Sequence, residues 1–410
     1  MLKKNSLDKI YTFLICSIVF LIPSNLFLKL NTSSAYVNGL LVDYLIPKLY
    51  LSDIFILILL LFWLIKVVLN KKKIAFKTSR FYLPSILISL IIIRQIFTPY
   101  PLAAVWYLFK LIEIGLLGWF LATHKKLFQK STIYISIICT ILFQSSLALW
   151  QFFTQKSLLG YTFLGEPNLS NSIGLAKDIW WNTGRVLPYG TTAHPNILGG
   201  VLAIFSLILI IQLLKTKQKW AQILTSLTIL LTIFVITLTQ SISALTSLII
   251  GNLLILLKPY YQKIANISRK LLIGSGIIMV VTPLLINLTA NSFKNNSLTR
   301  RSYLQNAAIE MFLNNPIAGV GLNQFTARVE EYSNAQEIVR FIQPAHHIGL
   351  LWLAETGVFG ILLIWILGGE IKIKKIILSL IILLPIAVLD HYLLTQQSGL
   401  LLFVFVFNFF

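Results

Sequence analysis

Apolar runs of roughly 17 to 22 residues, about what a helix needs to cross a bilayer, recur along nearly the whole of this 410-residue chain. They constrain it more than any motif does. Taken in order they place spans near 10–23, 52–69, 81–97, 101–121, 131–153, 194–214, 220–240, 243–257, 271–288, 347–367, 375–390 and 398–409, about twelve in all. With 57% hydrophobic and 11% charged residues, nothing is left over for a soluble core. Apolar runs of that length cross as α-helices, so the expected fold is all-α, one polytopic integral membrane domain over 1–410.

The basic residues give the orientation, because cytoplasmic loops retain lysine and arginine. With the N-terminus inside, the inner segments hold Lys3, Lys4 and Lys9; Lys71, Lys72, Lys73, Lys77 and Arg80; Lys125, Lys126 and Lys130; Lys215, Lys217 and Lys219; Lys258, Lys263, Arg269 and Lys270; and Lys372, Lys374 and Lys375. That is 21 of the 34, against ten in outer segments and three, Lys66, Arg94 and Lys110, within spans. Both termini are therefore expected in the cytoplasm. The net charge of +21 is read as a topology signal whose partner is the anionic inner leaflet of the lipid bilayer. No soluble face gathers it for nucleic acid. The first run ends at Pro23 without a small-residue cleavage site, so an uncleaved span is expected rather than a signal peptide. Cys16 and Cys139 lie in apolar spans, which offers neither a disulfide framework nor a metal cage.

The longest interruption runs from Ser297 to Gly360 and includes most of an outer loop at 289–346. Within it Leu304, Ala307, Ala308, Met311 and Phe312 recur at one-face helical spacing, with Thr299 or Ser297 to cap the start and Pro316, Gly319 and Gly321 to turn the chain after it. Arg301, three residues before Leu304, falls on the buried side of the first turn. A second outer segment, 154–193, carries Trp180 and Trp181 at headgroup level, then Arg185, and leads to His194, Pro195 and Asn196 at the mouth of the sixth span. Pro195 fits the first helical position, and Asn196 comes too late to cap it, so its side chain points to another partner or to a headgroup. Residues 24–53 are too apolar for a free loop and are expected to lie along the outer interface. Lys110 and Glu113 share a helix face, as a neutralised pair that packs helices or as a site contact. Glu355 sits within the tenth span, where an ionised carboxylate costs about 2.5 to 3.5 kcal/mol, so it counts as a site residue or as a bond to a neighbouring helix.

Arg185, His194, Arg300, Arg301, Arg328, Arg340, His346, His347 and His391 are all expected on the outer side. Arginine's planar fork matches phosphate, so several forks at headgroup level point to an anionic ligand with a greasy tail, such as a lipid-linked diphosphate. A histidine at the head of a span can take the proton of an acceptor hydroxyl while arginines stabilise the charge on a departing diphosphate. No Asp/Glu/His group at ligand spacing stands in the outer loops, so neither a metal nor another cofactor is expected. The alternative is that these charges only anchor loops to headgroups.

RVLPYGTTAHPNILGG, then TQSISAL in the hairpin between spans seven and eight, then Arg301, Ala308, Met311, Pro316, Gly319, Gly321 and Phe325, then AHHIGLLWLAETGVFG, resemble in order and spacing the O-antigen ligase and polymerase superfamily of bacterial envelope enzymes. DHYLLTQQSGLLLF near the C-terminus is similar to members as well. The resemblance covers 185–365 by motif. It implies a GT-C-type, inverting, metal-independent glycosyltransferase of the bacterial inner membrane, with its active face extracytoplasmic. Such enzymes move a glycan from an undecaprenyl-diphosphate carrier to an acceptor hydroxyl on a lipid, a protein or a growing polysaccharide. By matched position, Arg301 and Arg185 would bind the diphosphate and His346 would be base or acceptor anchor, with Arg300, His194, Asn196, His347 and Glu355 beside them. Two positions depart from the family's pattern: Ile242 follows Ser241 where an arginine is usual, and His347 stands where asparagine is usual. A flippase of lipid-linked glycans, or a silent scaffold for envelope assembly, would also collect arginines. A transporter would be expected to show inverted repeats, and no internal repeat is seen.

Overall fold

A computed structural model describes residues 4–69, 82–128, 131–170, 174–261, 296–335, 342–369 and 373–410, with isolated residues between 274 and 282 and Ile338. The apolar runs wind into α1 (Lys4–Leu21), α2 (Leu51–Leu69), α3 (Tyr82–Ile96), α4 (Pro101–Thr123), α5 (Ser131–Thr154), α6 (Pro195–Leu213), α7 (Lys219–Thr239) and α8 (Ile242–Tyr261). The amphipathic stretch forms α9 (Asn296–Asn314), and α10 (Ile348–Gly369), α11 (Ile373–Leu389) and α12 (Gln397–Phe409) complete the chain. Among the described residues six helices are long and apolar enough to cross a membrane: α2, α4, α5, α6, α7 and the Ile348–Ile366 part of α10. Shorter apolar helices lie within α3, α8, α11 and α12. The span expected near 271–288 lies largely outside the described residues. So do Lys3, Lys71, Lys72, Lys73, Lys77, Arg80, Lys130, Lys263, Arg269, Lys270, Arg340 and Lys372.

α6 is the centre of the bundle. It is apolar all round, and Ile197 to Leu209 are buried without a break, as a helix with neighbours on every side must be. Glycines set the spacing: a Cβ on Gly199 would stand 2.8 Å from Thr239 Oγ1, and one on Gly251 of α8 2.4 Å from a Leu207 methyl. α1 packs against α2 and α5, and α4 against α12. A second core forms where Leu304, Ala307, Ala308 and Met311 of α9 meet Val320, Phe325, Leu351 and Ala354. This is the face that the sequence spacing marks.

The all-α expectation needs one correction. Residues 27–50 form a small β cap in which β1 (Phe27–Lys29) pairs with β4 (Lys48–Tyr50), and β2 (Tyr36–Val37) with β3 (Leu40–Leu41). Asn38 and Gly39 turn the inner hairpin at φ 47° and 81°, the left-handed pair that Asn-Gly adopts readily. Asn38 Nδ2 reaches Glu330 at 2.6 Å, and Asn323 Nδ2 donates to Tyr44 O at 3.0 Å. The cap is thus tied to the segment that follows α9.

Two side chains of α5 hold the long connection to α6. Gln151 Oε1 accepts the N–H groups of Tyr189 and Gly190 at 2.9 and 2.7 Å, and Gln144 Oε1 that of Thr191 at 3.0 Å. Glu166, fully buried, accepts from the amides of Leu158, Leu159 and Gly160 and from Gln151 Nε2. These bonds pair buried polar groups that would otherwise cost energy, and they fix where the chain re-enters the bundle at His194.

Candidate functional site

Pro195 occupies the first helical position of α6, and His194 before it is the N-cap. Its Nδ1 accepts the Asn196 N–H at 3.1 Å, so the neutral ring carries its proton on Nε2. The Asn196 side chain is thereby free to point elsewhere, and its Nδ2 donates to Asp390 Oδ1 at 3.0 Å. The other oxygen of Asp390 accepts from Ser243 Oγ at 2.6 Å. Asp390, buried at the end of α11, therefore ties together the ends of α6 and α8. In sequence the three residues lie in separate spans, and Asp390 was legible only as a charge at a helix end.

His391 follows directly. Its Nδ1 lies 2.6 Å from Thr395 Oγ1, and its ring stands edge to face with His346 at 4.8 Å between centroids and with Tyr44 at 5.6 Å. His346 and His347 do different work. Nδ1 of His347 accepts the Leu350 N–H at 3.1 Å, and the side chain is buried at the start of α10. That is a helix cap. His346 is half-buried, and its Nδ1 has no hydrogen-bond partner among the described residues.

Arg300 and Arg301 lie in the first two turns of α9. Burial pushes the His346 imidazole well below its usual range, and nearby His391, Arg301, His194 and Arg300 push it the same way. Burial, then His194 and Arg301, push His391 down to about 3. Three histidines and two arginines from four separate parts of the chain thus feel one another, and His346 and His391 are neutral at pH 7. Arg301, half-buried, makes no hydrogen bond or ion pair among the described residues.

Two other expected site residues stand apart from this cluster. Arg185 is exposed, with its guanidinium 5.8 Å from the Phe152 ring. It sits on a hairpin that Asp178 and Gln240 fasten to the end of α7, and it is not among the groups that act on His346. Glu355 is buried, and its carboxylate accepts the N–H groups of Asn323 at 2.9 Å and Phe325 at 3.2 Å. Two residues on, Gly357 (φ 60°, ψ −155°) breaks α10. The Val358 N–H donates to Pro316 O at 2.8 Å and the Phe359 N–H to Ile317 O at 3.1 Å. The Glu-x-Gly pair is thus a clasp that docks the 316–325 turn, and through it α9 and its arginines, onto α10.

Lys110 meets Asp53 of α2 as well as Glu113, at 3.4 Å, and Asp53 also accepts from Gln397 Nε2 at 2.6 Å. Glu113 was visible three residues away in sequence; Asp53 was not. Among the described residues no group of three or more His, Cys, Asp or Glu is placed to hold a metal ion.

Residues 196–365 match the family model described as O-antigen ligase. No curated protein matches the chain. The matched segment runs from Asn196 through the α7–α8 hairpin, α9 with its two arginines, and the histidine pair to α10, and this match supports the O-antigen ligase superfamily for that part of the chain.

Proposed function

We propose that this protein transfers a glycan from an undecaprenyl-diphosphate carrier to an acceptor hydroxyl at the extracytoplasmic face of a bacterial inner membrane, as a ligase or polymerase of cell-surface polysaccharide. One observation carries the reading: His346, whose Nδ1 has no hydrogen-bond partner among the described residues, lies within the electrostatic field of Arg300 and Arg301. In the reaction the acceptor oxygen attacks the anomeric carbon from the side opposite the diphosphate. The new C–O bond forms as the bond from that carbon to the diphosphate oxygen breaks. The acceptor proton passes to the His346 imidazole, and the arginine forks hold the charge that gathers on the leaving group.

The depressed basicity of His346 fits this sequence of events. In the unliganded protein the arginines disfavour imidazolium. A diphosphate seated on them neutralises that field and adds negative charge. The added negative charge favours the imidazolium and so raises the basicity of the ring. His346 would become a competent base only once the donor is in place. Arg185, on its separate hairpin, would meet a more distant part of a long donor.

Membranes carrying the protein, supplied with a radiolabelled polyprenyl-diphosphate glycan and acceptor, test this. Label on the acceptor supports the reading. Label moved between leaflets without transfer would make the protein a flippase, and neither result would make it a scaffold.

A further inference from the structure

α4 carries two charged residues into the membrane, and the proposed chemistry uses neither. Glu113 is midway along its 23 residues, in a helix long and apolar enough to span. Lys110 lies about one turn nearer the outer end, and its Nζ contacts both Asp53 Oδ2 of α2 and, at 3.4 Å, Glu113 Oε2. One ammonium thus faces two carboxylates. The side chains of Lys110, Asp53 and Glu113 are only 9%, 1% and 11% exposed, so water does not balance the extra charge.

The elements packed on α4 do not balance it either. They are chiefly α2, α3 and α12. α12 has no charged residue, and the one charge of α3, Arg94, donates to Gly319 O and Val320 O. Lys66 of α2 stands over the Tyr11 ring, about 20 Å along the helix from Asp53. Lys125 and Lys126 follow the far end of α4, about 18 Å beyond Glu113. In the β cap, Lys48 pairs with Asp43, and Tyr50 offers Lys110 only its ring, at 5.3 Å. An uncompensated charge is costly in such surroundings. One proton removes it.

The hydrogen bonds show which carboxylate takes that proton. Asp53 meets donors at both oxygens: Lys110 and the Tyr50 N–H, at 2.7 Å, on Oδ2, and Gln397 Nε2, at 2.6 Å, on Oδ1. Such a set suits an anion. Glu113 has the long Lys110 contact at Oε2, while its Oε1 is closed off from solvent with no hydrogen-bond partner among the described residues. A proton is the one ligand that needs no space there. We infer that Glu113 is a proton-binding site: it is a neutral carboxylic acid at pH 7, Asp53 and Lys110 form the ion pair, and the neutral triad joins α4 to α2 and α12.

Infrared difference spectra of the full chain in lipid nanodiscs test this without any glycan, so the outcome is independent of the transfer reading. At pH 7, wild type minus Glu113→Gln should show the C=O stretch of one protonated carboxylic acid, moving to lower frequency in D2O. Wild type minus Asp53→Asn should show the same band, because Lys110 is then left to Glu113 and the acid ionises. Glu113→Gln exchanges one neutral group for another of the same shape, so it should melt as the wild type does. No such band in wild type minus Glu113→Gln overturns the proposal, and so does a band that Asp53→Asn retains. A Glu113→Gln protein that melts well below the wild type, or fails to fold, overturns it too, since Lys110 would then have lost an ionised partner. Should Asp53→Asn fail to fold, Glu113→Gln decides alone.

Discussion

Replacing Gly357 with alanine tests how the arginines are held in place. Its backbone (φ 60°, ψ −155°) lies in a region that side-chain-bearing residues avoid, at a cost of about 1–3 kcal/mol. A Cβ there would also sit 2.6 Å from the backbone of Ile317 and from Pro316 O, neither of which can rotate away. Moving them breaks the Val358–Pro316 and Phe359–Ile317 hydrogen bonds, about 1 kcal/mol each. The sum, about 3–5 kcal/mol, should lower the melting temperature of the detergent-solubilised protein by about 3–6 °C. Transfer should fall with it, since the turn that positions α9 comes loose. Gly115→Ala is the matched control: nothing lies within 4 Å of its added methyl, and the helix interior favours alanine, so melting should be unchanged or raised. A Gly357→Ala protein that melts and transfers like the wild type would refute the clasp.

Three further outcomes are expected. His391, pushed down to about 3, stays neutral when folded, whereas the unfolded chain takes up a proton below the ordinary value of 6.5. The unfolded state then binds more protons, so stability is full above pH 6.5 and is lost as pH falls toward 3, at up to about 1.4 kcal/mol per unit. Melting at pH 5 should therefore fall below that at pH 7, and His391→Asn should flatten the slope. Glu166→Gln sets an amide N–H against amides that already donate to that carboxylate and should cost about 2–3 kcal/mol, seen as a lower melting temperature. Arg301→Lys keeps the charge but loses the fork, so transfer should fall about tenfold or more with the amount of inserted protein unchanged.

Much of this molecule is legible before folding, for local reasons. Apolar length marks the helices, one-face spacing marks the buried side of α9, and Pro195 marks the start of α6. The β cap was missed because its strands are two or three residues long and its pairing joins residue 27 to residue 50, a separation that period-two reading cannot register. At the site, residue types were legible and partners were not. Asp390 with Asn196, and Asp53 with Lys110, are pairs made by helix packing alone. Glu355 shows the limit in another form: a carboxylate in an apolar run signals that something satisfies it, and the sequence cannot show that two backbone amides do.

The central claim is that His346 accepts the proton while Arg301 holds the diphosphate. Donor binding and turnover, measured side by side in His346→Ala and Arg301→Ala proteoliposomes, separate the two roles. His346→Ala should bind labelled undecaprenyl-diphosphate glycan as the wild type does and transfer none of it, while Arg301→Ala should lose binding and transfer together. Transfer at the wild-type rate in either variant would contradict the account.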